Sequence, residues 1–478
     1  MADYSFSLVA LIAEPKEPSE RKYPFPENVV SYQEFVLFDY SEIKRAKPLK
    51  LSKRKWRLLS KRLHQLMQDW RSGILSEESL GLLRELIDEH SPRIFKNFMV
   101  DEGAFALLTR IYEEYRGSAG FVKYFYNFQN IHLILFRVLS LISQLPQAGI
   151  YHAPQTGYGG LAACLRAVLY GGYSVITEHG VYLQEREMEL LKSNWLDNPY
   201  LKDMWIDMFS AICRWQYHIC DQVITLFPGN IDLQLEYGAK PDKVKVIPNG
   251  VDIERFKAAR KPRCIRNPRT IGLVGRVDSV KDVKTYIHAM AIIHKGYPEV
   301  QGLVIGPHDE QPDYYTECRQ LIDMLDLSPV ITFTGRANVI DYYLKMDLLL
   351  LTSIKEGMPL VIMEAMASGI PVVATAVGAC SDLLYGMDDG IGKAGLVARV
   401  VDAEGIADAA LSILKSPQMA NTFAQNGIQR MEQFYREQLI IREYKKIYKE
   451  ALNGRRNVSA GKTYSSPNAG SRSSQRGR

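Results

Sequence analysis

The fold turns on residues 346–365, MDLLLLTSIKEGMPLVIMEA. Leu348 to Thr352 form a short, continuous apolar or β-branched run, the pattern of a strand buried on both faces. Ser353 to Met358 read as a loop, and Pro359 opens a helix, where its missing N–H is no loss and its fixed φ suits the first turn. Open α/β sheets build ligand sites in this order of strand, short loop and helix start, because the helix N-terminus faces the crevice at the carboxyl ends of the strands. An anionic ligand is expected there. Two carboxylates flank the place: Glu356 in the loop, and Glu364 inside the helix. Such a pair arises by chance in ordinary sequences, so its setting carries the weight.

Outward from this stretch the second half alternates strand and helix. Strands are expected at 270–274, 301–305, 330–334, 348–352, 371–374 and 395–398, with helical stretches between them, which predicts a doubly wound parallel sheet. The strand at 270–274 ends in Gly275 and Arg276, with Lys281 five residues further on. Gly275 lets a ligand approach the backbone, Arg276 offers a planar fork for phosphate oxygens and Lys281 a point charge. A diphosphate held between these cations and the helix after Pro359 is the geometry this predicts; taken alone, the two cations would equally be ordinary loop charges.

The first half is less regular. Strands are expected at 4–13 and 29–38, and then a helical region over about 51–145. Trp56, Leu59, Leu63, Leu66, Met67 and Trp70 share one face of its first helix, and Ser76 is placed to cap the next. The opposite face carries Lys53, Arg54, Lys55, Arg57, Lys61 and Arg62, with Lys44, Arg45, Lys47 and Lys50 upstream. It reads either as a dock for an anionic membrane or as the commoner solvated face of an inserted subdomain. Strands at 150–153, 173–177, 223–226 and 244–247 restore the α/β rhythm, with a long helix over about 196–220. His179 lies at the end of one of these strands, where it either contacts a ligand or makes a structural hydrogen bond.

The turn residues Pro248, Asn249, Gly250, Val251 and Asp252, followed by a basic linker, mark a boundary. The expected organisation is a first domain over 1–252, a second over 253–430, a helix at 431–453 crossing back to the first, and a disordered basic tail at 454–478. A length of 478 residues accommodates this. The net charge of +5 includes six Lys and Arg beyond residue 454 with no acid, which leaves −1 for the body and no overall reason to expect a nucleic-acid partner. Six scattered cysteines without a C-x-x-C pair, and no signal peptide, suggest reduced thiols in the cytoplasm. No apolar run approaches the ~20 residues of a membrane span, so any membrane contact is expected to be peripheral.

Other nucleotide signatures are missing. No G-x-G-x-x-G follows a strand, residues 386–393 resemble a P-loop with the wrong spacing, and no Asp-x-Asp occurs to anchor a divalent metal. His179 has no neighbouring His in sequence, which argues against zinc.

Two Rossmann-like halves joined after PNGVD, GR(x4)K on the first strand of the second half and EGMPLVIMEA on its fourth resemble the family 4 retaining glycosyltransferases of GT-B fold. TGYGGLAACLRAVLYGG, TEHGVYLQEREMEL and VGACSDLLYG are similar to the PelF-type members that serve the Pel exopolysaccharide system. The resemblance implies two Rossmann-like domains facing a cleft. Arg276 and Lys281 would hold the diphosphate of a UDP-sugar, with Gly275 giving room. Glu356 would bind donor-sugar hydroxyls, the amides of Gly357, Met358, Leu360 and Val361 would meet phosphate or sugar, and Glu364 would take the ribose. His179 would stand at the donor sugar, and the uracil would lie against Thr334, Gly335 and Arg336.

UDP-glucose is the expected donor, with no metal and no other cofactor. The acceptor would be a growing exopolysaccharide or other glycan, and the partners inner-membrane polysaccharide-synthesis proteins. Members of that family begin with a strand, a Gly-Gly loop and a helix, which this chain lacks before its first strand. A gap in the first sheet is therefore expected, and a second reading stays open: an impaired or truncated homologue that scaffolds a synthesis complex.

Overall fold

The computed structural model describes residues 1, 3–14, 24–88, 91–114, 119–260 and 269–459. Residues 261–268 of the expected linker and residues 460–478 of the expected tail lie outside them, whereas residues 454–459 of that tail continue the last helix instead of being disordered. The N-terminal half opens with β1 (Phe6–Ile12) and β2 (Val29–Val36), a parallel pair. Six helices follow: α1 (Ser41–Arg45), α2 (Lys53–Ser72), α3 (Glu77–Asp88), α4 (Ser91–Val100), α5 (Glu102–Glu114) and α6 (Phe121–Ile142). They are amphipathic and close on cores of their own, one around Leu82 and Phe95, another where α6 meets the sheet layer.

The chain then runs β3 (Ile150–Ala153), α7 (Tyr158–Tyr170), β4 (Tyr173–Glu178), α8 (Tyr182–Lys192), α9 (Pro199–Ile219), β5 (Gln222–Thr225), α10 (Ile231–Glu236) and β6 (Val244–Val246). Strands β3 to β6 pair in sequence order, all parallel. The single long helix expected near 196–220 is preceded by the separate α8, because the chain turns at Ser193–Asn198, where Asn198 caps α9 with its side chain.

Helix α7 packs on β1 as well as on β3 and β4. Among the described residues no ladder joins β1 to β3.

The C-terminal half is one six-stranded parallel sheet. After α11 (Ile253–Lys257) come β7 (Arg269–Val274), α12 (Val283–Gly296), β8 (Val300–Ile305), α13 (Pro312–Met324), β9 (Ile331–Gly335) and α14 (Val339–Tyr343). They are followed by β10 (Leu348–Leu351), α15 (Leu360–Ala367), β11 (Val372–Thr375), α16 (Cys380–Tyr385), β12 (Gly395–Ala398), α17 (Ala403–Lys415) and α18 (Pro417–Phe434). The strand order is β12-β11-β10-β7-β8-β9. All four residues of β10 are buried, which is why its sequence is apolar without alternation.

The last helix, α19 (Glu437–Ser459), returns to the first half. Its Tyr448 meets Tyr4 edge-on at 5.5 Å and lies in one apolar cluster with Val175 and Ile224 of the first half's sheet. Among the described residues no helix is long and apolar enough to cross a membrane.

Candidate active site at the facing sheet edges

β7 and β10 are neighbours although three strands apart in sequence order, and β8 lies on the other side of β7. The chain direction of winding reverses there, so the loops leaving β7 and β10 open side by side into a crevice. They are stitched together. The Thr352 hydroxyl donates to the carbonyls of Lys281 and Asp282, each at 2.9 Å, and the Ile354 amide donates to the Val280 carbonyl at 2.8 Å.

This brings the Lys281 ammonium 2.5 Å from Glu356 Oε1, to which the Ser353 hydroxyl also donates at 2.6 Å. The side chains are 17% and 12% exposed, so the pair is shielded from water on most sides. Ser353 lies three residues before Glu356 and was missed in the sequence; a hydroxyl at that spacing across a tight loop is the signal that could have found it.

The structure adds detail at three of the expected residues. Pro359 is the residue before α15, in extended geometry at φ −72° and ψ 116°, and Leu360 is the first helical residue. No side chain caps that end, and its first turn has no acid, so the amide end of α15 is open to a ligand. Arg276 is not brought to Glu356. Its guanidinium, 54% exposed, binds Glu310 at 2.8 Å and Asp278 at 3.2 Å, because Glu310 projects from the loop after β8 and captures it. At Gly275 the room is taken by the Lys281 stem: a Cβ there would stand 3.2 Å from Lys281 Cε.

Gly357 serves a close approach between the halves. A Cβ on it would lie 2.0 Å from the carbonyl oxygen of His179. On the other side Gly378, at φ +51°, presses on the same loop, where a Cβ would meet the Gly357 carbonyl oxygen at 2.2 Å. The Glu356 loop is thus held between His179 of the first half and the turn before α16.

Met358 is buried, and its carbonyl accepts from the Asn249 side chain at 3.1 Å, so the inter-half connection is tied directly to the loop. In the sequence Asn249 carries only the signature of a turn residue. Val361 is partly buried and Leu360 half exposed at the start of α15. Glu364, one turn inside, accepts from the buried Tyr343 hydroxyl at 2.9 Å; burial raises its pKa. Gly335, at φ +67°, ends β9 near His308, which stacks on Tyr315 with ring centroids 4.3 Å apart.

His179 sits between β4 and α8, and burial lowers its pKa, favouring the neutral imidazole. Its neighbour Glu178 is fully buried and accepts from Thr156 at 2.7 Å, Gln234 at 2.8 Å and the Tyr217 hydroxyl at 2.5 Å. That cage fixes the strand end from which His179 emerges. Lys355, beside Glu356, has a shielded Nζ with no hydrogen-bond partner among the described residues; burial lowers its pKa, while Glu185 and Glu189 of α8 act to raise it.

Chemically, the place offers the Lys281 ammonium, an uncapped helix end, a hydroxyl-supported carboxylate and a histidine held towards its neutral form across a crevice. It suits an anion joined to a polyhydroxylated group.

Comparison with known proteins agrees with this description. The mannosyltransferase LpsB of lipopolysaccharide core biosynthesis from Rhizobium meliloti is 30% identical over 220 residues, 43% of this chain and 61% of that protein. N-acetyl-alpha-D-glucosaminyl L-malate synthase from Bacillus anthracis is 30% identical over 181 residues, 37% of this chain and 44% of that protein. The chain thus spans roughly two fifths to three fifths of the length of these curated relatives.

Among solved structures, sucrose-phosphate synthase from Thermosynechococcus elongatus superposes with a TM-score of 0.55 at 21% identity, covering 68% of this chain and 79% of that one. Anabaena HepE in complex with UDP does so with 0.55 at 20% identity, covering 66% and 82%. These share the GT-B fold of two Rossmann-like domains.

Residues 255–430 match the family Glycosyl transferases group 1. Residues 1–242, half of the chain, match the family described as Domain of unknown function (DUF3492), and the chain belongs to that family, carrying a group 1 glycosyl transferase domain behind it.

Proposed function

We propose that this chain is a retaining hexosyltransferase of the family 4, PelF-like kind, which takes a UDP-sugar, UDP-glucose first, and adds the sugar to a growing exopolysaccharide. The observation that carries the reading is the Lys281–Glu356 pair, backed by Ser353, at the reversal point between β7 and β10 beside the open end of α15. Both members of that pair are what a nucleotide-sugar needs, and each occupies the other until a ligand arrives.

The donor diphosphate takes Lys281 and the amides of Leu360 and Val361. Glu356, released from the ammonium and steadied by Ser353, turns to hydroxyls of the donor sugar. Arg276 leaves Glu310 to reach the phosphates. Glu364 and Tyr343 meet the ribose, Gly335 the base, and neutral His179 the sugar from the opposite side.

The bond between the anomeric carbon and the diphosphate oxygen then breaks, with the departing charge held by Lys281 and the α15 dipole. The acceptor oxygen bonds to the same face of that carbon and passes its proton to the leaving phosphate. No metal is assigned a part. The relatives' printed activities, mannosyl transfer among them, and the UDP bound in HepE support a nucleotide-sugar donor.

The test is thermal melting with and without UDP, followed by turnover of UDP-glucose. UDP at a hundred times its Kd should stabilise the protein by about 2.7 kcal/mol. Glu356→Ala should abolish transfer while the protein remains folded. No UDP-dependent shift, or normal turnover in Glu356→Ala, would remove the proposal.

A second reading, a nucleotide-binding scaffold without turnover, is favoured by the lack of a ladder between β1 and β3 among the described residues. UDP stabilisation without transfer to any acceptor would select it.

A further inference from the structure

Between residues 44 and 62 the chain carries ten Lys and Arg and no acid. Nine of them are exposed, and only Arg62 is partly buried, in an ion pair with Glu85 at 2.6 Å. Among the described residues the other nine form no ion pair, and only Arg45 acts on a carboxylate at longer range, that of Asp39. A merely solvated face mixes the two signs, because unrelieved like charge costs stability.

The display is held rigidly. Ile43 is buried, and Leu49 and Leu51 pack against the same core. The Asn97 side chain accepts from the Leu49 amide at 2.7 Å and donates to its carbonyl at 2.9 Å. Lys96 and Arg93 donate to the carbonyls of Lys44 and Lys47. The apolar residues of this segment therefore face inward, and its cations stay outside.

Helix α2 continues the surface against its own interest. Lys53, Arg54 and Lys55 fill its first turn, at the positive end of the helix dipole, with no acid there. Leu58, 63% exposed, stands at the centre of this face. Its helical neighbours one turn away on either side are Arg54, Lys55, Lys61 and Arg62. At the other end of α2, Trp70 meets Trp215 of α9 at 4.7 Å, so the cationic end lies roughly 20–30 Å from that anchor along the helix.

We propose that this face docks the protein on an anionic phospholipid surface, the cations meeting headgroup phosphates and Leu58 entering the acyl boundary. Four to eight clustered cations suffice for such attraction, and each is worth about a factor of five in binding. A nucleic-acid groove would also use the charge but gives no place to the central Leu58. The proposal is independent of the donor site.

The experiment is sedimentation of the full chain with vesicles of phosphatidylcholine alone and of phosphatidylcholine mixed with phosphatidylglycerol, with duplex DNA titrated separately. Binding is expected to the mixed vesicles only, and high salt should release it. The variant Lys53→Gln/Arg54→Gln/Arg57→Gln should bind them roughly a hundredfold more weakly. Its melting temperature should not fall, since charge leaves the unfavourable end of the dipole. Leu58→Ser should weaken binding several-fold with all charges present. Equal binding to both vesicles, no loss in the triple variant, or binding to DNA alone would overturn the proposal.

Discussion

Gly357 lies against the backbone of His179 so closely that a methyl group on it would stand 2.0 Å from the His179 carbonyl oxygen. The contact joins the loop that carries Glu356 to the strand end that carries His179, and it leaves no space for any side chain.

Gly357→Ala therefore cannot be absorbed by a rotamer change, because the neighbour is backbone. The loop is also blocked behind, where Gly378 packs on it. The loop must move or the halves must part. We expect a cost of about 1–3 kcal/mol in stability and a loss of roughly a hundredfold in kcat/KM for sugar transfer. Urea unfolding and steady-state kinetics measure the two. Unchanged kinetics would show that this approach does not set the geometry of the reaction.

Lys281→Met isolates the ammonium. It leaves Glu356, 12% exposed, with only Ser353 as partner among the described residues, and should cost about 2 kcal/mol. Adding Glu356→Gln should restore most of that stability, since the two residues interact directly. Neither variant should respond to UDP in thermal melts. Retention of the UDP shift in Lys281→Met would mean that the diphosphate is held elsewhere.

How much of this was legible in the sequence depended on whether the cause was local. The buried strand β10, the loop and the start of α15 were readable because a strand covered on both faces must be apolar and a Pro limits where a helix begins. The neighbouring β7 followed from the strand–helix alternation. Arg276 was not readable, since its partner Glu310 comes from the loop after β8, whose course no local pattern records. The Gly357–His179 contact was equally hidden, being a property of how two domains meet. The long helix expected at about 196–220 is α9, whose start Asn198 and Pro199 signal, whereas the shorter α8 ahead of it was not read.

His152 on β3 bonds the Tyr448 hydroxyl of α19 through Nδ1 at 2.6 Å and the Thr177 hydroxyl through Nε2 at 2.8 Å. Burial, with a smaller contribution from His179, pushes its pKa down from 6.5 to about 4. The neutral ring can accept from one hydroxyl, and the imidazolium can accept from neither. A folded pKa below the unfolded one gives stability that is complete above pH 6.5 and is lost as pH falls towards 4. The full gap corresponds to about 3 kcal/mol. His132, also pushed down to about 4 by burial, acts in the same sense. Glu178 and Glu364, whose pKa values burial raises, act in the opposite one, so the contribution has to be read as a difference between proteins. Unfolding free energies at pH 7.5 and pH 4.5 should converge between the wild type and His152→Gln as the medium is acidified, because the variant has no imidazole to protonate. Parallel curves would show that the strap from α19 to β3 does not depend on the neutral form of His152.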